Sequence, residues 1–300
     1  MARIALVTYD PGEEPTVDRD LAVLRRALAD AGAEAAVAHW DDPGTDWSGF
    51  DLVLIRSTWD YSWRLAEFVE WAERCAGVTR LLNPAPVVRW NTDKRYLEDL
   101  ARAGVPVVPT RYVAPGDPVE LPGEGEGEGE GEGEFVVKPA AGAGARYAAR
   151  YTRKERETAL AQLARMHAEG LTAMVQPYLA NIDVRGERAL QFFGGRLLHA
   201  SRKGAVLEPG TPYDGAKTAH PRLEPWEPTA AEQAVAERAL AAVPGGADAL
   251  LYARVDLVDG DDGQPLVMEL ELVEPNLFLF LHPESLPVVV DEILKAAGPR

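Results

Sequence analysis

Residues 268–276 read Met-Glu-Leu-Glu-Leu-Val-Glu-Pro-Asn, with Glu269 and Glu271 two positions apart. On a strand, that spacing puts both carboxylates on one face. Like charges on one face destabilise each other unless something compensates. Upstream, Tyr252–Val258 carries Arg254 and Asp256 at the same spacing. If the two segments form a hairpin turning symmetrically about Gly260–Pro265, Asp256 lies opposite Glu269 and Arg254 opposite Glu271. Three carboxylates then converge beside one guanidinium. Such an oxygen-only set suits magnesium, whose shell is usually completed by water and substrate phosphate. The plainer reading is a solvated acidic sheet face. The flanking Leu266, Val267, Leu270 and Phe278 argue instead for a covered sheet.

The chain has six lysines against 25 arginines, so each lysine position is informative. Lys94 begins a helical stretch. Lys138 ends the β-branched run Phe135–Pro139, just before a small-residue turn, Ala140–Arg146, that holds Gly142 and Gly144. An ammonium group followed by backbone N–H groups that no side chain shields suits a phosphate, although Gly–Ala turns and surface lysines are also common apart from any site. Val175–Leu179, with Gln176, Tyr178 and Leu179, is an extended segment able to pair with an adenine edge between apolar walls. Alone it reads as an interdomain linker. Arg56, Ser57, Trp59, Asp60 and Tyr61 follow the apolar run Asp51–Arg56, the usual place for a ligand on an open α/β sheet. There Arg56 suits a carboxylate and Asp60 an α-ammonium, against the alternative of a loop with structural aromatics. Arg202 and Lys203, at a strand end, offer further anion contacts or a surface position.

The elements that must position these groups alternate at first. Arg3–Thr8, Ala35–Trp40, Asp51–Arg56 and Arg80–Leu82 read as strands, with helices over Asp18–Ala31 and Leu65–Cys75. That order predicts a parallel sheet with helices on its faces. Asn91–Ala103 reads as a helix capped by Asn91 or Thr92 and ended by Gly104, and Val105–Val113 as a strand. Gly123–Glu134 is six Gly–Glu repeats, a disordered surface loop by composition. A helix over about Arg153–Glu169 and a strand at Thr172–Leu179 follow. The last third reads antiparallel: Arg185–Phe193 and Arg196–Arg202 joined across Gly194-Gly195, a strong hairpin signal, then Tyr252–Val258 with Pro265–Val273. Helices are expected over Thr229–Ala242 and Pro287–Ala297.

Composition narrows the function. Net charge is −17, and without the six glutamates of the repeat it is still −11, which argues against nucleic acid, whose phosphates reward basic residues. No apolar run approaches the ~20 residues of a membrane span, and the N-terminus lacks the features of a signal peptide. One cysteine, Cys75, allows no intramolecular disulfide and no Cys-based zinc site. A soluble protein of the cytoplasm is expected. No GxGxxG follows the first strand and no GxSxG is present. His39, His167, His199, His220 and His282 show no metal-ligand spacing.

In this order the pieces resemble the ATP-grasp superfamily over about Asn91–Leu281, roughly two-thirds of the chain: Lys94 before AGVPVVPT, Lys138 in FVVKP, VQPYL, RGERALQFFGGRLLHASRK, and ARVDLV with PLVMELELVEPN. The resemblance implies α/β plus α+β architecture in three parts, an N-terminal α/β substrate-side domain (1–90), a lid domain (91–178) and a C-terminal antiparallel-sheet domain (179–300). It implies that Lys94 and Lys138 contact nucleotide phosphates with Gly142, Gly144 and Arg202, and that Gln176, Tyr178 and Leu179 cradle adenine. Arg254 and Lys138 would be catalytic, with Asp256 and Glu269 as magnesium ligands. Glu271 stands where the family has asparagine, so Glu271, Glu274 or Asn276 completes the metal set. Arg56, Ser57, Trp59, Asp60, Tyr61 and Asn276 would face the substrate.

The implied activity is an ATP- and magnesium-dependent ligase that activates an amino-acid carboxylate as an acyl phosphate for attack by an amine nitrogen. Within the superfamily, LVTYD, VLIRSTWDY and MELELVEP are similar to the group containing the O-ureido-serine cyclo-ligase of cycloserine biosynthesis, which implies ring closure of O-ureido-D-serine. The alternatives are a ligase joining two separate small substrates, a non-catalytic nucleotide-binding protein and, more weakly, a carboxylase using bicarbonate. Small-molecule partners and a homodimer are likewise implied.

Overall fold

The computed structural model describes residues 1–11, 18–122, 133–213 and 222–298. Most of the Gly–Glu repeat, 123–132, lies outside the described residues, and with it the disordered loop expected there.

The first 82 residues build a parallel sheet from β1 (Arg3–Thr8), β2 (Glu34–His39), β3 (Leu52–Ser57) and β4 (Leu81–Leu82), in the order β2-β1-β3-β4. β3 is buried along its whole length, as a parallel strand covered on both faces must be. Side chains alternate between the two faces. Ile4 and Leu6 meet Leu24 and Leu28 of α1 (Leu21–Asp30), while Ala5 and Val7 share a cluster with Phe68, Trp71 and Cys75 of α2 (Leu65–Val78).

A helix that the sequence does not predict, α3 (Ala85–Asn91), ends where the helix expected over 91–103 should begin, and only α4 (Tyr96–Arg102) fills that span. Asn91 caps neither start. Its side chain donates to Leu270 O at 2.7 Å and accepts from Leu272 N at 2.8 Å. The Tyr96 hydroxyl takes Leu270 N, and Pro106 O takes Val267 N. Residues 91–108 thus satisfy the backbone groups that an outermost strand would otherwise leave unpaired.

The middle sheet is antiparallel, β5 (Arg111–Val113), β6 (Phe135–Pro139), β7 (Ala149–Tyr151) and β8 (Ala173–Pro177) in the order β5-β8-β6-β7. It shares a core with α5 (Arg156–Ala168) through Val137, Leu163 and Met166.

After α6 (Asn181–Arg185), a third sheet is also antiparallel. It comprises β9 (Glu187–Phe193), β10 (Arg196–Lys203), β11 (Leu223–Trp226), β12 (Tyr252–Asp259) and β13 (Pro265–Glu271), in the order β11-β10-β9-β12-β13. The β9–β10 turn is Gly194-Gly195, both at positive φ. α7 (Ala230–Ala241) begins at Thr229 in a capping box with Glu232, and its Val235, Ala236 and Ala239 pack on this sheet. The last helix, α8 (Leu286–Ala296), returns to the first sheet, where Val289, Val290 and Ile293 close the core around Ile4 and Leu6.

The middle sheet spans 111–177 and the third begins at 187, on either side of 179; the segment 91–108 packs along the edge of the third sheet, and the closing helix packs on the first. Asn83, fully buried, joins first and third sheets by donating to Tyr252 O and Leu272 O and accepting from Leu251 N. Among the described residues, no helix is long and apolar enough to cross a membrane.

Candidate active site

The β12–β13 pairing decides where the charges go. Arg254 lies opposite Glu271 and Asp256 opposite Glu269, as the sequence predicts, but the turn is not symmetrical. Leu257 pairs with Val267, so Met268 is an extra residue on its strand. This bulge restores the register and turns Met268, Glu269 and Glu271 to a single cleft of about 910 Å³ between the middle and third sheets.

Arg254 closes on Asp256 with Nε to Oδ1 and Nη2 to Oδ2, both at 2.8 Å, and its Nη2 also meets Glu271. Lys203 Nζ lies 2.7 Å from Asp256 Oδ2 and also pairs with Glu187. Lys94 Nζ lies 3.3 Å from Glu269 Oε1 and donates to Gly142 O at 2.6 Å, tying the α3–α4 link to the small-residue turn. Lys138, at the end of β6, faces the same cleft.

Burial sets the protonation of this cluster against its pairing. Burial acts to raise Asp256, but Arg254 and Lys203 overcome it and hold the carboxyl well below its usual range. Glu269 is lowered in the same way, by Lys94 and Lys138. In Glu271 burial wins over Arg254, and the carboxyl is held well above its ordinary range. Burial pushes Glu187 and Glu274 up to about 7 each. Lys138 is lowered by burial, with Glu269 opposing.

The small-residue turn is built from unusual backbone. Gly144, Ala145 and Tyr147 all have positive φ, and a Cβ at Gly142 would meet Pro139 Cγ at 3.0 Å. Gly142 and Gly144 both line the cleft. So do Gln176, Tyr178 and Leu179, which join Val136, Val258 and Met268 in an apolar slot. Gln176 donates to Thr110 Oγ1 at 2.8 Å. Tyr178 N–H is already spent on Glu134 O, and the Arg150 guanidinium covers the Tyr178 ring at 3.5 Å.

The predicted substrate loop divides. Trp59, Asp60 and Asn276 line the cleft. Arg56, Ser57 and Tyr61 do not. Arg56 is buried beneath the segment after β13 and donates to Pro275 O at 2.9 Å. Ser57 bonds Thr8 between strands. Tyr61 stacks on Phe68, and burial, reinforced by the Glu274 carboxyl, pushes its hydroxyl well above the usual phenol range. Arg202 is also outside: successive strand residues face opposite ways, so Arg202 pairs across to Glu224 while Lys203 points inward. Lys203, Glu187, Glu274, Tyr9 and Arg19 also line the cleft.

Among the described residues, no group of three or more His, Cys, Asp or Glu side chains is placed to hold a metal ion by itself. Asp256, Glu269 and Glu271 are instead held by cations. Their donors are all oxygen and all three line the cleft, which fits magnesium, a metal that binds one or two carboxylates and finishes its shell with phosphate oxygens and water.

Residues 4–83 match the family described as "D-cycloserine synthetase DcsG, N-terminal domain". The chain is 44% identical over 287 residues to the cycloserine biosynthesis protein DcsG of Streptomyces lavendulae, covering 93% of each. The crystal structure of D-cycloserine synthetase DcsG superposes with a TM-score of 0.84 at 36% identity, over 99% of this chain and 100% of that one. The D-alanine–D-alanine ligase of Bacillus anthracis complexed with ATP, at 16% identity and a TM-score of 0.67 over 99% and 97% of the two chains, shares the fold.

Proposed function

The chain belongs to the D-cycloserine synthetase family and works as an ATP-dependent ligase of the ATP-grasp fold, and we propose that its reaction is closure of O-ureido-D-serine to D-cycloserine. The observation that carries the proposal is the single cleft in which Lys94, Lys138, Arg254 and Glu269 face Trp59 and Asp60. Phosphoryl-transfer groups and a substrate loop meet there without a wall between them.

ATP would lie with its base in the slot of Leu179, Val258 and Met268, beside Gln176. Its phosphates would reach the turn at Gly142 and Gly144, with Lys94, Lys138 and Lys203 as donors. The substrate carboxylate attacks the γ-phosphorus, ADP departs, and an acyl phosphate forms. Arg254 sits where charge spreads over the transferred phosphoryl group, and such fixed charges act strongly in a site that excludes water. Asp256, Glu269 and Glu271 would hold magnesium, which neutralises phosphate charge during transfer. Asp60 would hold the α-ammonium. The substrate's own nitrogen then attacks the activated carbonyl, phosphate leaves, and the carbamoyl group is lost by hydrolysis. Attack within one molecule gains from proximity and removes the need for a second amino-acid pocket. Dependence on ATP puts this work in the cytoplasm.

The test is phosphate release from ATP and magnesium with O-ureido-D-serine, O-ureido-L-serine and simple D- and L-amino acids, with mass spectrometry of the products. Release with O-ureido-D-serine and a cyclic product is expected. Release only with a pair of amino acids, yielding an open-chain amide, would overturn ring closure.

A further inference from the structure

Gln176 lies near the end of β8, where successive side chains alternate between two faces. Ala173 and Val175 enter the core shared with α5, while Met174 joins the core of the third sheet and Gln176 lines the cleft. Val136 of β6 is the partner of Gln176 across one ladder. On the other side β5 pairs with β8 through Arg111 and Val175. The same antiparallel register, carried one residue further, sets Thr110 against Gln176, and side chains so opposed share a face.

The chain crossing the base slot is short of backbone donors. Pro177 has no N–H, and that of Tyr178 goes to Glu134 O at 2.9 Å. Reading the edge of a base then falls more heavily on side chains. The Gln176 amide is set for this among the apolar Val136, Leu179, Val258 and Met268. An amide can present either its oxygen or its nitrogen, and the two favour different bases. Thr110 makes the choice. Its hydroxyl has one proton, which it donates to Val108 O at 2.9 Å. Toward Gln176 that hydroxyl can only accept, so the amide nitrogen turns to it, Nε2 to Oγ1 at 2.8 Å. The amide oxygen, Oε1, takes no hydrogen bond from any described residue and is not sealed off by the protein.

We propose that Thr110 is the positioning residue that selects adenine. By holding the amide nitrogen of Gln176 it turns the amide oxygen to the base, where that oxygen accepts from the 6-amino group of ATP. A 6-oxo base sets oxygen against oxygen with no proton between them. The inference rests on the placement of the base in this slot, given above. An acceptor left facing an acceptor loses its hydrogen bond and keeps the cost of leaving water, and a site built to pair with one group discriminates strongly against the analogue without it.

The experiment measures Kd for ATP and for inosine triphosphate, with magnesium and without the amino-acid substrate, by calorimetric titration. It compares the unaltered protein with Thr110→Val, Thr110→Ser and Gln176→Leu. The unaltered protein should prefer ATP by about tenfold or more. Thr110→Val keeps the shape of threonine but offers no acceptor, which frees the amide to turn over. The preference should then shrink to about twofold or less, chiefly through tighter binding of inosine triphosphate. A purely structural defect would weaken both nucleotides alike. Thr110→Ser keeps the hydroxyl and should keep the preference. An unchanged preference in Thr110→Val would overturn the assignment, as would equal affinities in the unaltered protein. If Gln176→Leu binds both nucleotides as tightly as the unaltered protein, the base lies elsewhere, and the placement of the nucleotide falls with this inference.

Discussion

Arg254 and Asp256 stand two residues apart on one strand, and the guanidinium forks onto the carboxylate with both contacts at 2.8 Å. Both side chains are almost fully buried. A buried ion pair adds little net stability, but removing one partner strands the other charge, at a cost of about 3–5 kcal/mol. Arg254→Ala should therefore lose both turnover and a large share of stability, seen as a lower urea midpoint. Arg254→Lys keeps the charge without the fork, and should recover more stability than phosphate release.

Glu269 should separate chemistry from folding. Its carboxyl faces the cleft and is held ionised by Lys94 and Lys138. Glu269→Gln should lower phosphate release on the order of 100-fold or more while the thermal transition stays near that of the unaltered protein. Near-normal turnover across a magnesium titration would remove Glu269 from the metal site.

Lysine positions offer a paired contrast. Lys138→Ala should weaken ATP binding about tenfold or more, the equivalent of roughly 1.4 kcal/mol, by calorimetric titration. Arg202→Ala removes a half-exposed surface pair with Glu224 and a contact with the Trp226 ring, both outside the cleft, so ATP affinity should change by less than about twofold. Equal effects would mean that the strand phase at 202–203 is wrong.

Stability should depend on His199 in mild acid. Its ring stacks on His282 at 4.1 Å, and burial followed by the neighbouring His282 pushes it down to about 4. A histidine whose folded pKa is depressed contributes fully above its unfolded value of about 6.5 and loses that contribution as pH falls through the folded value. Between pH 7 and 4.5 the loss is on the order of 2–3 kcal/mol. His199→Gln should flatten that part of the pH profile of urea unfolding. Glu187 and Glu274, raised to about 7, act in the opposite sense, favouring the fold as pH falls, so the comparison must be made between variants at each pH.

Local rules carried far where the partners were close in sequence. The glycine pair at 194–195 and the alternation of Arg254, Asp256, Glu269 and Glu271 were enough to read both hairpins, even though the bulge at Met268 was not. They failed where a distant surface competed. Asn91 has the composition of a helix cap, yet the open edge of β13 makes a stronger claim on its amide. Arg202 and Lys203 lie at the end of a strand whose apolar residues fall on both faces, leaving no alternation from which to read its phase. Arg56 and Pro275 are far apart along the chain, and only the meeting of the first sheet with the third brings the guanidinium to that carbonyl.

The return of α8 to the first sheet has a consequence for synthesis. Val289, Val290 and Ile293 cover a face whose other residues, Ile4, Leu6, Leu24 and Leu28, leave the ribosome long before them. That sheet waits, one face covered by α1 alone, until the segment from residue 286 onward is made. Contacts of such long sequence separation slow folding and leave apolar surface open to wrong partners. A nascent chain halted before residue 286 should accordingly bind chaperones that the finished one releases.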